Sequence, residues 1–414
     1  MLCQFTFKNF KSYRDETIFD LQATSITEHE ESLLRSEGDK KDFLPVSAIY
    51  GPNGGGKSGV LEALNCLVTR IMNPIWQMSE TPYNFTMEYA KCPYFAFNDL
   101  SASEPTVFTV FFHQGIFEFR FSIALCNGEV VAESLYKRNI TGKRTAKIYE
   151  RDENGIQHGA TLNKKPSNAK VNPKMPYISF LAINYDIELI KNAVQWFKNC
   201  VFINFANPFV PGFYFATPED KESLLKMMRE IDIPIFDYRI ILKNDEESGE
   251  EYVDGFHVVR RLGQREYELD LNDESEGTQK LFKLLTLAIA ALHDGGLLVV
   301  DELDASLHPK LLKYIVKLFK NNKYNRNNAQ LLFTSHDVTT MKSDIFRRDE
   351  IWFAAKNDEL ASEIYSLYEI RNEDGSRVKE SAPYGKQYLE GRYGADPYLS
   401  EILSPHWGVQ NDEP

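Results

Sequence analysis

Cysteine is scarce in this chain and badly placed for chemistry. Its five cysteines, Cys3, Cys66, Cys92, Cys126 and Cys200, are odd in number, far apart and never spaced as C-x-x-C. That usage offers neither a disulfide framework nor a zinc site, and it fits a reducing cytosol. Long apolar runs are missing as well. The longest, residues 284–292, is about half a membrane span and is cut by His293 and Asp294. Residues 1–14 alternate Phe with Lys and hold no apolar h-region, so they do not read as a signal peptide. Positive charge is also short: 47 Lys+Arg against 60 Asp+Glu leave a net charge of −13. A surface built to coat phosphates needs Lys and Arg to displace counterions, so this balance argues against one while leaving room for a local basic groove. No internal repeat, sustained heptad or low-complexity tract is present. What remains is a 414-residue chain, 43% hydrophobic and 26% charged, able to bury a real core.

Hydrophobic periodicity organises it. Residues 1–50 read as a strand meander: Cys3, Phe5 and Phe7 alternate with polar neighbours, residues 17–21 are a second β-prone run, and residues 46–50 form a short apolar strand. Residues 28–42 between them read as a charged loop, and a helical pattern follows from Lys57 to about Met72. From about Ile75 to Gln264 the alternation is that of half-buried antiparallel strands. Residues 107–112 and 116–124 flank the turn His113-Gln114-Gly115, with Phe117, Phe119, Phe121 and Ile123 on one face. Further strands are expected at 134–140 and 145–151, a basic loop at 155–176, helices at 186–199 and 218–231, and a hairpin around the acidic loop 244–251. Beyond Glu266 the pattern returns to α/β, with helices at 277–293 and 309–320 and strands at 297–301 and 330–334.

Two motifs carry chemistry directly. Gly51, Pro52, Asn53, Gly54, Gly55, Gly56, Lys57 and Ser58 form a complete G-x-x-x-x-G-K-S P-loop between an apolar strand and a helix. Glycines let successive N–H groups turn inward around phosphate, and the helix N-terminus adds partial positive charge. Lys57 is placed for the β/γ-phosphates of ATP and Ser58 for Mg²⁺. Residues 297–300 are apolar and lead into Asp301 and Glu302. Alone, this would be a plain buried strand; behind a P-loop it reads as a Walker B strand. Asp301 would then orient the Mg²⁺ shell, and Glu302 would act as general base toward water.

Three more segments narrow the class: Ser275-Glu276-Gly277-Thr278 ahead of a helix, Asp304 and His308 just after Glu302, and His336 at the end of the strand 330–334. In this order the chain resembles the ABC-type ATPase heads of the SMC/RecF/OLD group. "SEGT" in place of "LSGGQ" is similar to the AAA-15/AAA-21 prokaryotic ATPases, with the nearest likeness to the RloA/AbiL-type anti-phage ATPases. The opening Phe7-Lys8-Asn9-Phe10-Lys11-Ser12-Tyr13 and the closing segments 348–353 and 388–394 resemble that family too.

The resemblance implies an α/β P-loop NTPase fold, an ABC-ATPase-like head with a β-rich α+β insert between Walker A and the signature. It implies three parts: an N-terminal lobe with the P-loop (1–74), the insert (75–264), and a C-terminal lobe (265–414). It also implies that Ser275 and Gly277 cover the γ-phosphate held by a second copy, that Asp304 belongs to a D-loop, and that His336 is a switch histidine. Lys11 would approach nucleotide, although Lys in place of Arg lacks the bidentate fork.

The expected cofactors are ATP and Mg²⁺. The expected assembly is a homodimer closed on ATP, acting on a separately encoded effector such as a nuclease in anti-phage defence. The rival is a RecF-like ATPase that grips DNA. Long coiled-coil arms do not fit a proline-containing, β-rich interval, which excludes a structural SMC protein. Only residues 337–414 follow His336, too few for a Toprim nuclease as well.

His308 is suited equally to capping the next helix and to touching nucleotide. Gln114 reads as a turn residue, so no Q-loop glutamine is placed. Lys137, Arg138, Lys143, Arg144, Lys164, Lys165 and Lys170 read as a solvated face first and a nucleic-acid surface second. Arg392-Tyr393 between Gly391 and Gly394 reads as a special turn.

Overall fold

The computed structural model describes residues 1–36, 38–78, 92–162, 170–204, 218–244, 251–372 and 374–395. In chain order the strands and helices begin with β1 (Leu2–Lys8), β2 (Thr17–Asp20), β3 (Leu34–Arg35), β4 (Asp42–Phe43), β5 (Val46–Tyr50) and α1 (Lys57–Gln77). There follow β6 (Thr106–Gln114), β7 (Phe117–Cys126), β8 (Glu129–Asn139), β9 (Thr145–Asp152), β10 (Gly155–His158), α2 (Tyr177–Asn184), α3 (Glu188–Lys198) and β11 (Cys200–Asn204). The remainder is α4 (Pro218–Glu230), β12 (Asp237–Asn244), β13 (Glu251–Leu262), β14 (Arg265–Asp270), α5 (Glu276–Asp294), β15 (Leu297–Asp301), α6 (Pro309–Lys320), β16 (Gln330–Thr334), β17 (Ile351–Lys356), β18 (Ser362–Ser366) and α7 (Tyr384–Leu389). Among the described residues, no helix is long and apolar enough to cross a membrane.

Two large sheets carry the α/β fold. One is a six-stranded sheet in the order β11-β15-β16-β5-β17-β18, parallel except for β18. All five residues of β5 and of β16 are buried, as expected for strands covered on both faces. The other sheet is antiparallel, in the order β10-β9-β8-β7-β6-β1-β2. Helix α1 passes between them and buries Val60, Leu61, Leu64, Leu67, Val68, Ile71 and Met72 in the core.

Strand pairing cuts across the expected boundaries. Strands β6 to β10 extend the sheet begun by β1 and β2, so residues 75–264 do not stand apart from the N-terminal strands. Strand β11, not expected from the sequence, pairs in parallel with β15 and so lies within the P-loop sheet. Strand β14 pairs with β13, which places a hairpin across residues 264 and 265. The reason is common to all three: pairing joins edges brought together in space, and period-2 alternation carries no information about which edge is adjacent.

Local readings shifted where packing overrode them. Helix α1 runs beyond Met72 through Pro74, because Ile75 and Trp76 pack on the core and reward the extra turn. The stretch read as a loop from Gly155 begins with β10, paired to β9. The stretch 28–42 contains the short β3–β4 hairpin, and its Glu28 is buried against Arg348. Helix α2 was not legible: it has no Ser, Thr, Asp or Asn cap, and Pro176 precedes it. Its cap comes from another strand, where the buried Glu133 accepts the N–H groups of Tyr177 (2.6 Å) and Ile178 (2.9 Å) and the hydroxyl of Tyr149 (2.6 Å). Burial pushes the Glu133 carboxyl pKa upward against those bonds.

At the end of β6 and the start of β7, Arg138 donates to both oxygens of Glu118 at 3.0 and 2.8 Å, and the buried His113 Nε2 lies 3.5 Å from Glu118 Oε2. Burial raises the Glu118 carboxyl, but the nearby His113 ring and the paired Arg138 bonds outweigh it and hold the group down at about 2. A depressed carboxylate stabilises the fold above its unfolded value and loses that contribution as pH falls toward the folded value. Glu118→Gln is therefore expected to lower stability at pH 7, by at most about 3 kcal/mol. In urea titrations at pH 7, 5, 4 and 3 the gap from the wild type should close toward acid; a constant gap would refute the account.

The remaining basic residues are modestly engaged. Lys137 sits over the ring of Phe117 at 4.3 Å, while Lys143, Arg144 and Lys170 are exposed. Lys164 and Lys165 lie outside the described residues, as does most of the acidic loop 244–251.

Candidate functional site

Strand β5 delivers the chain into the loop at the C-terminal edge of the parallel sheet, where Asn53 and Gly54 form the exposed crest. Two glycines there are demanded by space and by backbone. A Cβ on Gly51 (φ 149°) would stand 2.2 Å from the carbonyl oxygen of Ala354 on β17. A Cβ on Gly56 (φ 111°) would stand 2.6 Å from Ser362 Oγ and 2.9 Å from the hydroxyl oxygen of Tyr13. Gly55 N–H closes the turn onto Pro52 O at 3.1 Å. Helix α1 then starts at Lys57 with no side-chain cap and no acidic residue in its first turn. A 21-residue helix thus offers its free N–H groups and its dipole to whatever sits on the loop. Lys57 Nζ donates to Gly51 O (2.9 Å) and Pro52 O (3.0 Å), and its side chain is buried. Burial lowers its pKa, and the carboxylates of Asp301, Glu302 and Asp304 partly offset that.

The acidic end arrives from the neighbouring strands. Strand β16 separates β5 from β15, so Asp301 meets the P-loop across one intervening strand. Ser58 Oγ donates to Asp301 Oδ1 at 3.0 Å, joining residues 243 positions apart. Thr334, at the end of β16, donates to the same oxygen at 2.6 Å and accepts the N–H of Glu302 at 2.7 Å. Glu302 has φ 54°, a left-handed backbone that non-glycine residues rarely adopt. Asp304 accepts the backbone N–H of His336 on both oxygens at 3.1 Å, so His336 stands beside it at the sheet edge with its side chain exposed.

Gly51 to Ser58, Asp301, Glu302, Asp304 and His336 therefore share one edge. Ser275 and Gly277 do not join them at the loop. Ser275 caps α5, its hydroxyl accepting the N–H of Thr278 at 3.3 Å, and it is exposed. The turn is tied to the segment after Glu302: Lys280 Nζ reaches Ser306 Oγ at 3.3 Å, and a Cβ on Gly277 would lie 3.7 Å from Ser306 O. Lys11 is set against α1, where its ammonium pairs with Glu62. His308 caps α6, with Nδ1 accepting the N–H of Lys310 at 3.2 Å. The 391–394 turn is built into the core: Tyr393 packs on Phe353 at 5.3 Å and its carbonyl accepts the hydroxyl of Tyr365 at 2.6 Å.

Two residues of the site carried no role in the sequence reading. Tyr13, fully buried, donates to Gly56 O at 3.0 Å and so clamps the start of α1. Thr334 was read only as part of a strand; a hydroxyl ending an otherwise apolar run was the available signal.

The donor chemistry suits a magnesium nucleotide. Hard oxygens from Ser58 and Asp301 match a small divalent cation, and the uncapped helix start beside a buried ammonium matches phosphate.

A family model described as "AAA domain, putative AbiEii toxin, Type IV TA system" matches residues 46–342. No curated protein matches the sequence. Among solved structures the chain is similar to an SMC head domain from Thermotoga maritima, at TM-score 0.37 and 15% identity over 88% of this chain and 98% of that one. It is similar to a Pyrococcus furiosus Smc head with extended coiled coil, bound to the C-terminal domain of ScpA, at TM-score 0.41 and 13% identity over 88% and 96%. A Smc head with coiled coil and joint from Pyrococcus yayanosii gives TM-score 0.38 and 12% identity over 95% and 99%.

Proposed function

Because the chain belongs to the AAA_21 family of AAA-domain P-loop ATPases, we propose that it binds and hydrolyses ATP as a head-to-head homodimer and switches a partner effector. The observation that supports this most is the Ser58–Asp301 contact at the foot of an uncapped helix. Lys57 would hold the β/γ-phosphates, the loop N–H groups would wrap them, and Ser58 with Asp301 would hold the cation. Bound Mg²⁺ supplies charge neutralisation on the phosphate oxygens. Glu302 would take the proton of the attacking water, with Asp304 and His336 beside it at the same edge. Ser275, exposed, and Gly277 on the same turn would serve the phosphate held by the second subunit.

The family's description, "AAA domain, putative AbiEii toxin, Type IV TA system", supports a toxin–antitoxin setting for this ATPase; a separate nuclease or toxin effector and a role against phage are part of the proposal. The rival reading, a DNA-gripping repair ATPase, has less support: Arg138 is committed to Glu118, and net charge is −13. Tight DNA binding with a steep salt dependence would favour that rival.

The direct test is Mg²⁺-dependent ATP turnover by the wild type and by Lys57→Ala. The variant is expected to lose at least about 100-fold in turnover, nucleotide binding weakening with it. Wild-type turnover in Lys57→Ala would overturn the site. For the effector, co-expression with the neighbouring gene product should give toxicity that changes with Lys57→Ala; toxicity indifferent to it would remove the switch.

A further inference from the structure

Thr334 makes more bonds to the acidic segment than any strand residue needs to. It is fully buried at the end of β16. Its hydroxyl donates to Asp301 Oδ1 at 2.6 Å, the same hydroxyl accepts Glu302 N–H at 2.7 Å, and its carbonyl accepts Leu303 N–H at 3.0 Å. Three consecutive residues at the end of β15 are thus bonded to one residue of the neighbouring strand.

The two hydroxyl bonds have opposite sense. A hydroxyl has one proton and two lone pairs. Its proton is directed at a carboxylate oxygen, which only accepts, and a lone pair takes a backbone N–H, which only donates. Neither partner can exchange roles, so the hydroxyl has one orientation that serves both. Ser58 supplies the second proton to Asp301 Oδ1. With two hydroxyls on one oxygen, the plane of the carboxylate is set by the protein before any cation arrives. The Glu302 N–H bond acts on a different variable. Glu302 has φ 54°, and a bond to its own N–H holds it in that left-handed conformation, which fixes the direction its side chain leaves the strand end.

We infer that Thr334 is a positioning residue of this site, setting through one hydroxyl both the carboxylate that orients the cation and the backbone that aims the general base. This rests on the reading above of Asp301 and Glu302 in ATP hydrolysis. Removing the hydroxyl leaves Asp301 with one donor fewer and strands the Glu302 N–H without a partner. Cation affinity and turnover should then fall together, the effect passing through Asp301 and Glu302.

Thr334→Val keeps the shape and removes the hydroxyl; Thr334→Ser keeps the hydroxyl and removes the methyl. Binding of a fluorescent ATP analogue is measured with and without Mg²⁺, turnover is measured alongside, and thermal melting checks the fold. In Thr334→Val, metal-free binding should stay within about 2-fold of wild type. The Mg²⁺ concentration that half-maximally tightens binding should rise about 10-fold, and turnover should fall about 10- to 100-fold. Thr334→Ser should restore both. If the valine variant does not fold, Thr334→Ala takes its place in the same measurements.

A hydroxyl-free variant with wild-type Mg²⁺ requirement and turnover would overturn the inference. Equal impairment in the valine and serine variants would overturn it too, since the methyl's packing would then be the cause. A wild type that hydrolyses no ATP would sink the proposed function, while the Mg²⁺ requirement for binding would still decide the role of Thr334.

Discussion

Glu302→Gln is expected to bind ATP as the wild type does and to accumulate as an ATP-bound dimer, with turnover reduced by at least about 100-fold. Glutamine keeps the length and shape of the side chain, and the 2.7 Å bond from its backbone N–H to Thr334 is untouched, so the left-handed turn at residue 302 is preserved. What is lost is the ability to accept a proton from water. The bound state then has no exit through hydrolysis, and the closed form should dominate in saturating Mg²⁺-ATP. Light scattering in ATP reads the mass, and a phosphate-release assay reads the rate. A monomer in saturating ATP with wild-type turnover would remove both the base role of Glu302 and the closed dimer.

Ser275→Arg is expected to leave ATP binding close to wild type while turnover falls to background. The turn it occupies is exposed and its hydroxyl bonds stay within residues 275–278, so an arginine can be accommodated in the single chain without disturbing the P-loop. In the closed dimer that bulk would fall where the opposite nucleotide lies. The variant is informative in combination. Lys57→Ala and Ser275→Arg are each expected to be inactive alone. In a mixed dimer, however, the intact P-loop of the Ser275→Arg chain faces the intact signature turn of the Lys57→Ala chain. One site of the pair is then complete. The ceiling is about half of wild-type activity per mixed dimer if the sites fire independently. Strict alternation between sites would suppress that rescue, so the decisive readout is the single variant. Robust hydrolysis by Ser275→Arg at concentrations where it is monomeric would show that the turn does not act across a dimer.

Some of this architecture was written locally. The strands 46–50, 297–301 and 330–334 and the helix 309–320 were readable to their ends, because short mostly apolar strands bounded by Gly or Asp-Glu, and a helical apolar period opened by Pro309, are short-range signals. The P-loop and the Asp301-Glu302 pair were legible for the same reason: phosphate and cation chemistry demand particular residue types at fixed short spacings.

What the sequence could not carry was adjacency. That β16 lies between β5 and β15, bringing Ser58 within 3.0 Å of Asp301, depends on strand order. That β11 completes the same sheet, and that β6 to β10 continue the sheet of β1 and β2, depends on which edges remain free after the chain collapses. The Glu133 cap on α2 and the Thr334 link between Asp301 and Glu302 are of the same kind. A side chain's periodicity specifies the face it shares with its own neighbours; its partners across tens or hundreds of residues are chosen by packing, by buried polar groups that must find donors and acceptors, and by the order in which strands can pair. The sequence by itself determined the chemistry available to this protein, and only the tertiary structure decided which of those groups meet.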